Sequence, residues 1–303
     1  MTEKSAAPLV SILSPVFNES EHLEEMIDSV LSQSHRNLEL VIVDDGSTDD
    51  TVAKAVMASS RDSRVRVISD GKLGKVGAFN RAYAESQGEV VLLLGGDDVL
   101  PVDSVAVRAE AVSRARTAST RRVAAFARLV TFSTDPRFDG QTIPRDPKRG
   151  ARSGGTIAMS RELAEDAFPI PSSLVAEDLW IGGIADAAAE VRLDMPNVVL
   201  RYRIHSGNSN PRGQSFPRMT ESMHSRMLAY RLLAENRGAL IGDEYRRRYE
   251  VLAEIEDKRY AGDLMGILSH RTAPWGARLR AASMARPWLF ALRTRLFRLF
   301  SGW

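Results

Sequence analysis

The chain has 303 residues, 44% of them hydrophobic and 26% charged, which suits one large globular domain or a domain with an appendage. Its 41 Lys and Arg against 39 Asp and Glu leave a formal net charge of +2, and the absence of cysteine excludes a disulfide scaffold, a thiolate zinc site and a cysteine nucleophile. No apolar run reaches the length of about 18 residues that a membrane-spanning helix needs. The start, Met1-Thr2-Glu3-Lys4-Ser5, lacks the basic-then-apolar layout of a secretory signal, so a cytoplasmic protein is expected.

In chain order, Leu9 to Phe17 reads as a buried strand. Asn18 with Glu21 fits a capping box for a helix whose apolar stripe is Leu23, Met26, Ile27, Val30 and Leu31. Leu38 to Val43 is a second strand, followed by a tight Asp44–Thr48 turn in which Ser47 or Thr48 can cap the next helix. Arg64 to Ser69 is a third strand, Val76 to Gln87 a helix and Glu89 to Leu94 a fourth strand. Such alternation implies a mostly parallel sheet with helices on both faces, and ligands bind beyond the carboxyl ends of its strands. Residues from about 131 to 155 are Pro-, Gly- and Arg-rich, a long loop of the functional or mobile sort. Regular patterns return at Thr156–Ser160, in a helix after Ser160 and in a segment from Glu177-Asp178; beyond Asn210-Pro211 the chain reads as helical to its end.

Polar clusters fall at the strand ends: Asn18-Glu19, Asp44-Asp45 and Gly95-Gly96-Asp97-Asp98. Adjacent carboxylates such as Asp97 and Asp98 repel unless a cation or a donor stands between them. Taken singly, Asp44 is equally a turn residue, Glu19 a first-turn helix acid, and Lys75 a solvated charge. An isolated His205 is more often structural than a ligand, and a Trp near a helix start, as Trp180, is more often core.

As an ordered set these segments resemble glycosyltransferase family 2, of the inverting GT-A fold. The opening is SILSPVFNESEHLEEMIDSVLSQSHRNLELVIVDDGSTDDT at Ser11–Thr51. GKVGAFN at 74–80, GEVVLLLGGDD at 88–98, Glu177-Asp178 and RYRIHSGNSN at 201–210 follow in the family's order. The resemblance covers roughly residues 8–210, so a catalytic domain over 1–210 and a helical extension over 211–303 are expected. It implies that Asp44 reads uracil, that Pro15, Val16 and Glu19 form the base-binding lip, and that Lys75 and Asn80 belong to a diphosphate-facing element. Asp97 would take the ribose, Asp98 and His205 a divalent metal (manganese or magnesium), and Asp178 would be the base that deprotonates the acceptor. Glu177 and Trp180 would line the acceptor site; Arg201 and Arg203 could bear on phosphates. Many relatives carry an acid where this chain has Gly95.

The function so implied is transfer from a nucleotide sugar, a UDP-sugar fitting best, to a glycan or lipid-linked saccharide, as in bacterial cell-surface polysaccharide synthesis. A sugar-1-phosphate nucleotidyltransferase would need a Gly-rich basic loop after the first strand, which Ser14–Asn18 is not. A degenerate scaffold of a membrane assembly has only Gly95 in its favour. No nucleic-acid partner is expected, and a homo-oligomer is compatible with the sequence.

The charge is unevenly spread, with seven arginines and no acid from Arg271 to Trp303. From Arg286 onward, Trp288, Leu289, Leu292, Leu296, Leu299, Phe300 and Trp303 recur at near-helical spacing, with Arg286, Arg293 and Arg298 mostly opposite. This reads as a basic amphipathic helix on an anionic membrane surface, hence a peripheral protein of the inner face of the plasma membrane. The alternative is a helix packed on the catalytic domain or on a dimer partner.

Overall fold

The computed structural model describes residues 7–205 and 215–300, with side chains to 296. The chain divides into two compact units, Met1–Ile204 and His205–Trp303.

The first unit begins with β1 (Val10–Val16), α1 (Leu23–Leu31), β2 (Leu38–Asp44), α2 (Thr51–Arg61), β3 (Val65–Ile68), α3 (Lys75–Glu85) and β4 (Val90–Leu93). It continues with α4 (Ser104–Ala115), β5 (Val123–Phe132), β6 (Thr142–Ile143), β7 (Ile157–Ser160), α5 (Arg161–Ala167), α6 (Asp178–Ala188) and β8 (Val191–Arg203). One eight-stranded sheet has the order β3-β2-β1-β4-β7-β5-β6, with β8 also paired to β5. The pairs among β1 to β4 and the β5–β8 pair are parallel, whereas β7 runs antiparallel to both β4 and β5, and β6 antiparallel to β5. The sheet is therefore mixed, its parallel half matching the expected strands.

β1, β2 and β4 are apolar on both faces because helices cover both sides of a parallel sheet. Their registers, Val16 opposite Asp44 and Leu13 opposite Leu93, bring the carboxyl ends of three strands to one edge. Expected helix capping fails at α1. The N-cap is His22, without a side-chain cap, while Asn18 holds a left-handed φ of 54°. Asn18 joins two loops instead: its N–H donates to Ser47 Oγ (2.9 Å), and its Oδ1 accepts from Thr48 N (2.8 Å). Ser47 and Thr48 are likewise not the cap of α2, whose N-cap is Asp50. α4, β5 and β8 have no counterpart among the expected elements. Buried Arg108 on α4 donates to the Ser104 carbonyl and to Gly155 O (3.1 Å each), and burial lowers its pKa to about 9.

The second unit contains α7 (Phe216–Tyr260), α8 (Leu264–Leu268), α9 (Trp275–Ala282) and α10 (Pro287–Phe300). α7 is interrupted at Gly242, whose φ of 74° is left-handed. In a straight helix Thr220 and Arg259 would lie about 58 Å apart, at about 1.5 Å per residue. Arg259 Nη2 instead donates to Thr220 O at 3.0 Å, so α7 is a helical hairpin that reverses at Gly242. Tyr230 stacks on Tyr249 across the hairpin with centroids 5.6 Å apart. At its open end Arg259, fully buried, donates to Glu256 Oε1 (2.6 Å) and Oε2 (2.7 Å). That ion pair is tolerated in the interior because its further donors and acceptors are used, by Thr220 and His224. No helix of the described residues is long and apolar enough to cross a membrane.

Candidate active site

The edge reached by β1, β2 and β4 is drawn together by backbone groups. Asp45 N donates to Val16 O (2.9 Å), and Glu19 N to Thr51 Oγ1 (2.8 Å). Val16 is buried and half-buried Pro15 pairs with Val43, so these two reach the edge mainly as backbone. Asp44 is buried at the end of β2 and accepts from Gly46 N (3.1 Å), Ser47 N (3.1 and 3.2 Å to its two oxygens) and Ser69 Oγ (3.4 Å). The turn role expected of Asp44 is thus met through both of its carboxylate oxygens. Asp45, which the motif reading passed over, accepts from Leu73 N and Gly74 N, both at 2.6 Å, and so fixes the loop that delivers Lys75. Phe17, expected at the end of the buried first strand, instead lies exposed just after β1, with Lys72 Nζ 5.2 Å from its ring centroid.

The acid pair follows β4. A Cβ added to Gly95 would come 2.8 Å from Asp97 Oδ1 and 3.1 Å from Asp98 Oδ2, so both carboxylates converge over the glycine that replaces the family's acid. Asp98 is 5% exposed, and its pKa is held well above the usual carboxylate range by burial first and the Asp97 charge second. Arg203 and Lys75 oppose that shift. Arg203, at the end of β8, donates its N–H to Asp98 Oδ1 (2.9 Å) and its Nε to Asp97 O (2.8 Å), and its guanidinium also pairs with Glu25. Its guanidinium thus meets the Asp97 carbonyl and Glu25, and its backbone N–H holds Asp98; Arg201 lies over the Phe132 ring at 4.7 Å. Glu19 stands close by: a Cβ on Gly96 would meet Glu19 Cγ and Val16 Cγ1, each at 2.9 Å. Burial, then the charges of Asp97 and Asp49, push the Glu19 carboxyl up to about 7, with Arg203 working against them.

Lys75 opens α3, and its Nζ lies 3.1 Å from Oε2 of Glu177, the N-cap of α6. Asp178 is the first residue of α6, half-buried, and its Oδ1 accepts from Leu179 N (2.9 Å). The structure therefore brings Pro15, Val16, Glu19, Asp44 and Asp97–Asp98 to one edge, and joins Lys75 to Glu177 beside Asp178.

Two expected contacts do not survive. Trp180 is fully buried and donates Nε1 to Ala167 O (2.7 Å), so it is core and fronts no acceptor. Asn80 spends both ends of its amide on one residue: Nδ2 donates to Ile170 O (2.8 Å) and Oδ1 accepts from Ile170 N (2.7 Å). Those two bonds anchor the segment after α5. His205 is half-buried and opens the second unit, and residues 206–210 of its motif lie outside the described residues. Arg152, in the basic loop, is tied to Asp194 and Asp186. Among the described residues no three His, Cys, Asp or Glu form a ready metal cluster.

Polar side chains gathered beyond the carboxyl ends of parallel strands stand where open α/β sheets bind their ligands. The model for "Glycosyl transferase family 2" matches residues 11–168, more than half of the chain, and the chain belongs to that family. Glycosyltransferase GlyG of Streptococcus pneumoniae serotype 4 is 32% identical over 93 residues, 30% of this chain and 31% of that protein. TuaG of Bacillus subtilis (strain 168), named provisionally for teichuronic acid biosynthesis, is 38% identical over 92 residues, 30% of this chain and 36% of that protein. The chain thus spans about a third of the length of these curated relatives. S. aureus TarS 1-349 in complex with UDP-GlcNAc aligns with a TM-score of 0.59 at 16% identity, over 93% of this chain and 83% of that one. The mannosyltransferase PcManGT from Pyrobaculum calidifontis, in complex with GDP-Man and Mn2+, gives 0.59 at 18% identity, over 98% and 88%. At these identities the likeness shows the GT-A fold.

Proposed function

We propose that the protein is an inverting, metal-dependent glycosyltransferase that moves a sugar from a nucleotide sugar, a UDP-sugar first, to a hydroxyl of a glycan or lipid-linked saccharide. The observation that carries this reading is the convergence of Asp97 and Asp98 over Gly95, within electrostatic reach of Lys75. Asp44 would read the base, Glu19 and the Pro15–Val16 backbone would border it, and Asp97 would take the ribose. The names of TarS, solved with UDP-GlcNAc, and PcManGT, solved with GDP-Man and Mn2+, support the donor class. TuaG's name supports a cell-surface glycan as acceptor.

A divalent cation fits the acid pair. The donors are hard carboxylate oxygens aimed at one point, and burial penalises the charge of Asp98 until a cation neutralises it. Asp98, with Asp97 beside it, would hold the ion. When bound, such an ion offsets charge on the diphosphate leaving group. Lys75 adds a cation at the N-terminus of α3, a position suited to phosphate oxygens. The acceptor O–H proton passes to the Asp178 carboxylate as the acceptor oxygen bonds to the anomeric carbon from the face opposite the donor. The bond from that carbon to the diphosphate oxygen breaks, and its electron pair leaves with the nucleoside diphosphate. Glu177 orients Lys75 and borders the acceptor side.

A panel of UDP-, dTDP- and GDP-sugars, scored for thermal stabilisation with and without Mn2+, tests the reading. A UDP-sugar should stabilise the protein most, and only with metal. A panel in which no nucleotide sugar stabilises or is hydrolysed ends it.

A further inference from the structure

We infer that α9 and α10 carry a docking surface for an anionic lipid bilayer. α10 is seated by one side: Phe290 packs on Phe216 with centroids 5.9 Å apart, and Arg293 Nη1 donates to Ser283 Oγ (2.8 Å) at the end of α9. Arg293 therefore lies on the packed side, away from the apolar stripe, as the sequence pattern sets it. The side turned outward carries Trp288, Leu292 and Leu296, which are 62%, 48% and 43% exposed. They stand at i, i+4 and i+8, one stripe of a helix. α9 repeats the device with Trp275 and Leu279, 60% and 48% exposed. Leu299, Phe300 and Trp303 of the expected stripe lie outside the described side chains.

Single exposed leucines are ordinary, but two tryptophans and three leucines exposed on successive helices call for an occupant. The charge around it says which. Arg271, Arg280, Arg286 and Arg295 are exposed, and the chain from Arg271 to Trp303 holds no Asp or Glu. A second copy of the same surface would set arginine against arginine. A bilayer with anionic headgroups accepts both components: indole rings rest at headgroup depth, leucines enter the acyl boundary, and guanidinium groups pair with phosphate oxygens. The long arginine stems lie along the apolar surface while their heads stay in the polar layer. None of the residues involved belongs to the proposed active site, so this inference and the transferase reading stand or fall separately.

The test is co-sedimentation of the full-length protein with vesicles of phosphatidylcholine alone or of phosphatidylcholine with phosphatidylglycerol, at low and high salt. The protein should pellet with the anionic vesicles at low salt and remain in solution with the neutral ones. Arg280→Glu/Arg295→Glu should weaken partitioning by about 25-fold or more, taking about fivefold for each arginine near the surface. Trp275→Ser/Trp288→Ser should weaken it at least about tenfold, while thermal stabilisation by donor is unchanged because the substituted rings are exposed. The proposal is overturned if the parent stays in the supernatant with anionic vesicles, or if the tryptophan variant pellets as the parent does. It is equally overturned if sedimentation velocity shows a dimer that the tryptophan variant dissociates and neither protein binds lipid.

Discussion

Lys75 Nζ and Glu177 Oε2 lie 3.1 Å apart and join the first turn of α3 to the N-cap of α6. The partners are unequal, with the lysine side chain 43% exposed and the glutamate 9%. The glutamate therefore depends on the pair more than the lysine does, since a buried carboxylate without a cation is costly. Lys75→Met should lower thermal stability and weaken donor binding by about tenfold or more, whereas Glu177→Gln should leave donor affinity nearly intact. Thermal melts with a donor titration separate the two effects.

Asp98→Asn keeps an oxygen to accept from Arg203 N and removes the repulsion with Asp97. In chelator its melting temperature should equal or exceed the parent's. The Mn2+ concentration giving half-maximal stabilisation should rise by about tenfold or more, as expected for loss of an anionic oxygen ligand. A parent enzyme fully active in chelator would remove the metal from the reaction.

Asp178→Asn keeps the acceptor for Leu179 N but loses the basic lone pair. Turnover should fall by about 10²–10⁴-fold, the span of general-base catalysis. Donor affinity measured by calorimetry should barely change. Near-normal transfer would instead make Glu177 the base.

The Glu19 carboxyl, held near pH 7 by burial and by Asp97 and Asp49, gives the apo protein a pH signature. A folded-state pKa above the unfolded one means that its contribution is complete below about 4.5 and lost as pH rises through about 7. In chelator, the parent should therefore lose stability across that window relative to Glu19→Gln. At pH 8 the variant should melt about 2–4 °C higher, taking about 1 kcal/mol after solvent screening. Parallel curves for the two proteins would refute the shift.

Asn80→Ala distinguishes anchoring from ligand contact. Losing both hydrogen bonds to Ile170 should cost about 1–3 kcal/mol of stability. The donor dissociation constant of the folded variant, read by calorimetry below its transition, should stay within about twofold, less than the loss of one hydrogen bond would produce.

The strands of the parallel half were legible because burial on both faces leaves uninterrupted apolar runs ended by polar turns, as in IVD at 42–44 and LLLGGDD at 92–98. β8 was not legible: it mixes Arg192, Asp194, Pro196 and Arg201 with its apolar residues, and its pairing with β5 shifts register near Arg128. Pattern reading needs a constant period, and a bulge breaks it. In the site, the motif order marked Asp97, Asp98 and Glu177, but side-chain destination was invisible. Asn80 and Trp180 occupy motif positions, yet their polar atoms bond to backbone groups of Ile170 and Ala167. Asp45 and Arg203 show the converse. Their work is to hold other residues, and only the folded geometry reveals it.

The contacts across the α7 hairpin are nested about Gly242: Tyr230 meets Tyr249, then His224 meets Glu256 and Thr220 meets Arg259, pairs separated by 32 and 39 residues in the latter two cases. Each contact closes a loop only slightly longer than the one inside it, so each adds little closure entropy once its inner neighbour has formed. The hairpin can zip from its vertex outward. The long-range strand pairs of the first unit have no such ladder, since β6, β7, α5 and α6 lie between β5 and β8 in the chain, and α1, β2, α2, β3 and α3 between β1 and β4. By the dependence of folding rate on the sequence separation of contacts, the hairpin assembles early and the β5–β8 edge, which sets Arg203 against the acid pair, is among the last parts to close. The site's electrostatics are therefore completed late, together with the sheet order that the β1–β4 pairing sets.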